Sequence, residues 1–183
     1  MKPAGLLQIQ RGLMSNSKPV IRGNSLYTIV DGLYWSDSEN QANKIGGNLV
    51  TISSQNENKF VLDKFGDKAI ELAKERGQNH EKTNLHIGLN DLQNEGEWVW
   101  SSGESVAWEN WNPGEPANGT EGNHAGLLVN WWEEGKWHDL YDSYIRGDEA
   151  NVGVAEIPFI RRGDSAYVIV EGPTWEEAEA NAN

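Results

Sequence analysis

The sequence predicts an α+β fold, and the prediction rests on a change of pattern near the middle of the chain. Before Thr83, apolar residues recur at helical spacing in two stretches, and each stretch adjoins a short strand-like run. After Thr83, short apolar runs are cut by Gly, Asn and Pro, which is typical of short strands joined by long loops. Long ordered loops in a compact domain usually carry function.

The first half of the chain begins with a strand, a helix and a second strand. The first strand is predicted at Ser25–Val30, where the side chains alternate and β-branched residues are frequent. A helix is predicted over residues 35–45, because its core-facing residues return to one face, and Gly46 and Gly47 end it. The face consists of Trp35, Ser38, Ala42 and Ile45. The second strand is predicted over residues 48–52.

A second helix begins at a capping-box pattern, in which Ser54 is followed three residues later by Glu57. Apolar and long-stemmed residues then recur at helical intervals, and Gly77 ends the helix. The recurring residues are Phe60, Val61, Lys64, Phe65, Lys68, Ala69 and Leu72. The later runs LHIGL, EWVW, LLVNWW, GKW and VGVAEI are predicted to be short strands.

Composition narrows the class of partner. The chain has 183 residues and 37% hydrophobic types, which suits one domain with an appended segment. Its formal charge is -13 and it has no Lys/Arg-rich run, so we expect neither nucleic acid nor an anionic membrane as a partner. The acidic balance fits oxygen-bound cations, and it fits equally a surface that keeps the protein soluble.

The absence of cysteine excludes disulfides and thiolate metal sites. No apolar run approaches the roughly eighteen residues that a membrane-spanning helix needs, and the first twenty residues lack the pattern of a secretory signal. We therefore predict neither a membrane span nor a signal peptide in this sequence.

One motif occurs twice in the chain. Residues 23–43 (GNSLYTIVDGLYWSDSENQAN) match residues 163–183 (GDSAYVIVEGPTWEEAEANAN) at a constant offset of 140, and the identities are spread through the whole window. The offset predicts a tandem repeat with a unit of that length. The expected organisation is an N-terminal extension at residues 1–22, a domain at residues 23–160 and the start of a second, truncated repeat at residues 161–183.

Five stretches, read in order, resemble the C-type lectin-like domain: W..SENQA...GGNLVTISSQNEN.FV, IGLND...EGEWVW, NWNPGEPA, GKWHD and GVAEI. The resemblance implies two helices that flank two small antiparallel sheets, with an irregular long-loop region that in many members binds calcium and, through it, a sugar. His86 stands where the family usually has Trp. The lack of cysteine departs from most animal members and is compatible with bacterial-type members.

The resemblance also implies a calcium ligand set in the long loop. Glu115 and Asp139 keep two carboxylate positions, and Asn123 falls at the spacing of a further carboxylate ligand. Ala117 replaces an amide that in the family binds both metal and sugar, and His138 replaces an Asn. The set is therefore depleted, and calcium affinity is expected to be lower than in the sugar-binding members.

A second, accessory calcium site is implied by Asp91 and Glu95, with Asn118 near the position of a third ligand. Pro116 matches a family proline that commonly follows a cis bond.

Two other interpretations of the loop remain open. Two histidines, His124 and His138, together with Glu115 and Asp139 would suit zinc better than calcium; alternatively, both histidines make ordinary hydrogen bonds. The two carboxylates could also serve as the acid and base of a glycosidase. No nucleophile or cofactor motif accompanies them, so we predict that the chain is not an enzyme.

The chain is rich in tryptophan, with nine residues. Trp131 and Trp132 fall in a turn and are predicted to form an exposed stacking platform for a sugar or a protein. The others that the resemblance places beneath the loops are predicted to be core, namely Trp98, Trp100, Trp108, Trp111 and Trp137.

These observations predict a non-catalytic recognition module of a larger protein that acts outside the cell or on its surface. The first hypothesis is glycan binding assisted by calcium. Its predicted ligand contacts are Glu115, Asn118, Asn123, Trp132, His138 and Asp139, and its predicted metal ligands are Glu115, Asn123, Asp139, Asp91 and Glu95. The alternative is a calcium-independent module that binds a protein or has a structural role.

Overall fold

The structure, a computed structural model, describes residues 18–141, 149–163 and 165–170. Its helices are α1 (Trp35–Lys44) and α2 (Gln55–Glu75), and a 3-10 turn lies at Gly119–Glu121. The strands are β1 (Val20–Arg22), β2 (Ser25–Val30), β3 (Asn48–Leu49), β4 (Thr83–Asn90), β5 (Val99–Trp100), β6 (His124–Leu128), β7 (Trp137–Leu140), β8 (Ala150–Pro158), β9 (Ile160–Arg162) and β10 (Ser165–Tyr167). These elements confirm the predicted α+β class with two helices.

The strands form one mixed sheet in the order β1-β2-β8-β4-β6-β7, with β3 on β8 and β5 on β4, while β9 and β10 pair separately. The resemblance implied two small antiparallel sheets. They are joined because β4 and β8 pair in parallel, from Thr83 opposite Ala150 to His86 opposite Gly153. Of the strand predicted over residues 48–52, only Asn48–Leu49 forms a strand, which pairs with β8, and the Val50 N–H then donates to the Val154 carbonyl of β8 at 2.8 Å.

Helix α1 begins and ends as its sequence predicts. Trp35, Ser38 and Ala42 are its buried residues, and the Trp35 indole N–H donates to the Ile87 carbonyl of β4 at 2.7 Å. Gly46 follows the helix with a φ of 84°, which an L side chain rarely adopts. The sequence pattern therefore sets both the length of α1 and the face that it presents to the sheet.

Helix α2 begins at half of the predicted capping box. The Ser54 hydroxyl accepts the backbone N–H of Glu57 at 3.3 Å. In return the Glu57 carboxylate accepts from Ser53 at 2.9 Å, one residue earlier than a full capping box requires. Gly77 ends the helix with a φ of 67°. Within the described ranges, no helix is long and apolar enough to cross a membrane.

The core lies on both faces of the sheet. The larger cluster packs α2, through Val61 and Phe65, against the central strands and two buried indoles, Trp100 and Trp137. The smaller cluster packs α1 against β8. Trp98, Trp108 and Trp111 are partly buried against the larger cluster, which agrees with the core position predicted for them. Burial of each large apolar side chain contributes about 1.5–3 kcal/mol.

Candidate functional site

A polar cavity of about 90 Å³ lies beneath the long loop that joins β5 to β6, beside β7. We call it the loop pocket. Its lining includes Glu115, Asn118, Trp131, Trp132, His138 and Asp139. The structure thus brings together five of the six residues predicted to contact a ligand, and Asn123 is the exception.

The Asp139 carboxylate organises the loop above the pocket. Its Oδ2 accepts the backbone N–H groups of Ala117 and Asn118 at 3.0 and 2.6 Å, and its Oδ1 accepts the Asn118 amide at 2.7 Å. Asp139 is only 2% exposed. The loop reaches this position through Gly114, with a φ of 93°, and a cis bond between Glu115 and Pro116. Three N–H groups therefore donate hydrogen bonds to a carboxylate that was predicted to bind a metal.

Glu115 lies beside Asp139, but one of its carboxyl oxygens lacks the hydrogen bonds that Asp139 has. Its Oε2 is buried and has no hydrogen-bond partner among the described residues. Burial, followed by a hydrogen bond to Asp139 and the charge of Asp139, raises the pKa of Glu115 to about 7. Glu115 therefore holds a proton at a higher pH than a carboxyl group in water does.

Part of the pocket wall is a hydrogen-bond network centred on Asn84 of β4, and the Asn84 amide also donates to the Glu149 carboxylate at 3.4 Å. The Asn84 Oδ1 accepts the Trp131 indole N–H at 2.9 Å and lies 3.2 Å from the His138 Nε2. Because that oxygen is an acceptor, His138 carries its proton on Nε2. The Asn84 amide donates to Asn151 of β8 at 2.9 Å. This network links His138 of β7 to Asn84 of β4, across the intervening strand β6.

The floor of the pocket contains His86, which is 2% exposed and has its Nδ1 3.2 Å from the Ser38 hydroxyl. Burial, together with the smaller effects of His124 and His138, lowers the pKa of His86 to about 3. Gly126 pairs with His86 on one side and with His138 on the other. The Leu140 side chain packs over Gly126, where an added Cβ would lie 2.7 Å from its Cδ1.

Trp132 stands at the lip of the pocket in an unusual backbone conformation. Its φ is 52°, a left-handed value that costs a bulky residue free energy. Its side chain is 60% exposed, and its ring centroid lies 4.4 Å from that of Trp131 and 5.9 Å from that of His138. The predicted platform therefore exists, with Trp131 half-buried as its support and Trp132 as its open face.

The remaining predicted site residues lie outside the loop pocket. The Asn123 amide donates to the Thr120 carbonyl at 3.3 Å. Asp91 is buried, and its Oδ2 accepts the Gly96 N–H at 2.8 Å, while its Oδ1 is buried with no partner in the described part of the chain. Glu95 is exposed.

The predicted calcium set does not fit the geometry of the loop pocket. Calcium takes about six to eight oxygen ligands. Here the Asp139 oxygens face three N–H donors, Ala117 offers no side-chain oxygen and Asn123 turns towards Thr120. In the described lining of this pocket, Glu115 Oε2 is a buried carboxyl oxygen with no hydrogen-bond partner.

The zinc set does not assemble either. His124 stacks on Trp35, with ring centroids 4.4 Å apart, while His138 bonds to Asn84. In residues 18–141, 149–163 and 165–170, no group of three or more His, Asp or Glu side chains is placed to hold a metal.

Sequence reasoning missed part of the lining. Tyr34, Glu149 and Asn151 also line the pocket, and they come from the start of α1 and the start of β8. One signal could have indicated them: Asn84 and Asn151 are amides in strands that are otherwise buried, and buried amides need partners.

The fold, two helices on a mixed sheet, is shared with solved C-type lectin domains. The chain belongs to the C-type lectin domain family, because the model of that family, Lectin C-type domain, matches residues 31–146. The family consists of non-catalytic recognition modules, which confirms that the chain is not an enzyme.

Individual relatives support this assignment. The low affinity immunoglobulin epsilon Fc receptor of Mus musculus is 35% identical over 107 residues, which are 58% of this chain and 27% of that protein. A perlucin-like protein of Mytilus galloprovincialis is 32% identical over 120 residues, 64% of this chain and 68% of that protein. Both are animal proteins, so the expected bacterial-type membership is not supported. The chain thus corresponds to about a quarter of the receptor's length.

Solved structures show the same fold. A calcium-independent type II antifreeze protein superposes with a TM-score of 0.60 at 16% identity, covering 80% of this chain and 96% of that one.

Proposed function

We propose that this domain binds a carbohydrate in the loop pocket by direct contact with protein groups. The observation that carries the proposal is Trp132, an exposed indole held in a strained conformation beside a polar cavity. Strain in a bulky residue persists where the fold enforces it, and such positions cluster at functional sites. A flat apolar face next to hydrogen-bonding groups matches a sugar ring, which has both apolar and hydroxyl faces.

The electrostatics of the pocket favour a neutral sugar over an acidic one. Glu115, Asp139 and Glu149 line the described wall, which has no Lys or Arg. The carboxylates would repel a uronic acid, a sialic acid or a sulfated sugar. Glu115 Oε2 is the group that supports hydroxyl recognition, since it is an acceptor with no hydrogen-bond partner among the described residues. The Asn118 amide already donates to the carboxylate and the carbonyl of Asp139.

Calcium takes no part in this proposed contact. The three donors on Asp139 already hold the loop in place without a metal. The same fold occurs in a calcium-independent antifreeze protein, so the fold itself does not require the ion.

Titration calorimetry on chelator-treated protein tests the proposal, after a glycan array has identified a neutral sugar ligand. We expect binding to be equal in chelator and in calcium. Trp132→Ala is expected to weaken binding by about tenfold, because loss of ring stacking costs roughly 1–1.5 kcal/mol. Trp132→Phe keeps a ring and should retain most of the affinity. Ile21→Ala, at an exposed residue of β1, is the control and should change nothing.

Three outcomes would reject the proposal. Equal affinity in Trp132→Ala and the parent chain would exclude the loop pocket as the sugar site. Absence of any sugar ligand would favour the alternative from the sequence, a protein ligand on the same Trp131–Trp132 platform. Binding that disappears in chelator would restore the calcium-assisted mechanism.

One observation favours calcium elsewhere, as an ion that orders the loop. Asp91 is 2% exposed with an unpartnered Oδ1, at the predicted accessory site. A rise in melting temperature on addition of calcium, absent in Asp91→Asn, would support this second role.

We also propose that the parent protein acts outside the cell or on its surface, which surface labelling of intact cells would test. The animal relatives named above include a receptor.

A further inference from the structure

The hairpin β9–β10 repeats the hairpin β1–β2 in backbone detail. Arg22 pairs with Ser25 in the first hairpin, and Arg162 pairs with Ser165 in the second. The outer pairs correspond too, since Val20 lies opposite Tyr27 and Ile160 lies opposite Tyr167. Both turns use a left-handed glycine, with a φ of 60° at Gly23 and 59° at Gly163. The sequence repeat is therefore a structural repeat.

The two hairpins differ in what covers them. Tyr27 and Ile29 are 2% and 1% exposed, whereas their counterparts Tyr167 and Ile169 are 54% and 76% exposed. Strand β2 is covered because β8 pairs along its whole length. The second hairpin has no such strand among the described residues. Tyr167 and Ile169 therefore match residues that are buried in the first domain, but they are themselves exposed.

The contacts of Tyr27 indicate which groups would bury Tyr167. Its hydroxyl donates to Glu156 of β8 at 2.7 Å, and the Phe60 ring of α2 meets its ring edge-on at 5.1 Å. An equivalent cover for Tyr167 is a strand with a glutamate in register and a helix with an aromatic ring.

The other face of the second hairpin segment contacts the first domain. Val168 packs against the smaller core cluster of the first domain, next to Ile45, and the Ile169 carbonyl lies close to Gly46. Because side chains alternate along an extended chain, Val168 points to one side and Tyr167 and Ile169 point to the other. One side joins the first domain, and the other is left open.

We propose that β9–β10 is the first hairpin of another C-type lectin unit, and that Tyr167 and Ile169 form the surface on which the rest of that unit docks. The partner is a segment with the pattern of residues 44–160 of this chain, whose equivalents of β8 and α2 cover the hairpin. Val168 and Gly46 then form the contact between consecutive units. This inference is independent of the proposed carbohydrate site.

A fusion protein tests the inference. Residues 44–160 are joined after Asn183, so that residues 163–183 take the place of residues 23–43 in a second unit. We expect a second cooperative unfolding transition and protection of the Tyr167 ring from solvent. Tyr167→Ala should lower the second melting temperature by roughly 5–10 °C. In the unfused chain the same substitution should have no effect, whereas Tyr27→Ala should destabilise the first domain in both proteins.

A matched fusion replaces residues 163–183 by a Gly/Ser linker of equal length. Its second half should fail to fold, because it lacks the first strand and helix. Equal folding of the second half in both fusions would overturn the inference. A second half that stays unfolded in both, or a Tyr167 ring that stays exposed in the first fusion, would overturn it as well.

Discussion

The amide and backbone N–H of Asn118 both donate to the Asp139 carboxylate, at 2.7 and 2.6 Å. These bonds tie the long loop to β7, across a separation of 21 residues in the chain. A buried carboxylate with several donors is held more strongly than one with a single partner, because each donor offsets part of its desolvation.

Removal of that carboxylate should release the loop. We expect Asp139→Ala to lower the free energy of unfolding by about 2–3 kcal/mol, since hydrogen bonds to a charged group contribute about 1.5–3 kcal/mol each and loss of the Glu115 repulsion offsets part of the cost. Urea unfolding measures the change. Asp67→Ala, at an exposed position of α2, is the control. Equal stability of the two variants would show that Asp139 does not hold the loop.

Asn58 of α2 anchors the most buried tryptophan. Its Oδ1 accepts the Trp137 indole N–H at 2.7 Å, and its amide donates to the Gly135 carbonyl at 2.8 Å. Asn58→Ala leaves the indole N–H buried without a partner, so we expect a loss of about 2–4 kcal/mol in urea unfolding. The exposed Asn56→Ala, two residues away, should cost less than about 0.5 kcal/mol. A similar loss in both would contradict the anchor.

Stability should fall in acid, partly because of His86. Its pKa is lowered from 6.5 to about 3 in the folded protein, so between these values the unfolded chain binds more protons. The stability that His86 contributes is complete above pH 6.5 and decreases as the pH falls towards 3. We expect His86→Gln to flatten the decrease by up to about 1.4 kcal/mol per pH unit.

Urea unfolding at several pH values between about 7 and 4 checks the effect of His86. His124 and His138, which face His86, remain in both proteins, so the difference in slope belongs to His86 alone. His80→Gln, at an exposed histidine, should leave the slope unchanged. Parallel curves for His86→Gln and the parent chain would contradict a buried neutral histidine.

Gly46 and Gly77 form a natural pair for testing the contact with the second hairpin. Both end a helix at positive φ, but a Cβ on Gly46 would lie 2.1 Å from the Ile169 carbonyl, whereas a Cβ on Gly77 would meet nothing within 4 Å. Gly77→Ala should cost about 1–2 kcal/mol for the left-handed backbone alone. Gly46→Ala should cost about 1 kcal/mol more, from displacement of residues 168–169.

The extra cost at Gly46 should vanish in a chain that ends at residue 163, as measured by thermal unfolding. If the difference between the two alanine variants persists there, the cause lies within the first domain and not in the contact with Ile169.

Local chemistry made much of the fold predictable. Strand β2 and helix α1 agree with their predictions because alternation, helical spacing and Gly46 act within a few residues. The parallel pairing of β4 with β8 was not predictable, since it joins Thr83 to Ala150 and depends on the packing of the whole sheet.

The sequence was enough to predict which residues line the site, but not which hydrogen bonds they form. The loop pattern indicated Glu115, Asn118, Trp132, His138 and Asp139, and all five line one pocket. The pattern carries no information on which donors reach Asp139, because those bonds form only when the loop folds onto β7.

The sequence by itself determined the family, the helix ends and the repeated hairpin, since each depends on residue types at short spacing. Only the tertiary structure decided that three N–H groups donate to the Asp139 carboxylate, that His138 bonds to Asn84 and that Trp132 remains exposed. The reason is physical: a side chain bonds to whatever group the fold brings within about 3 Å, and that group is set by contacts between distant parts of the chain.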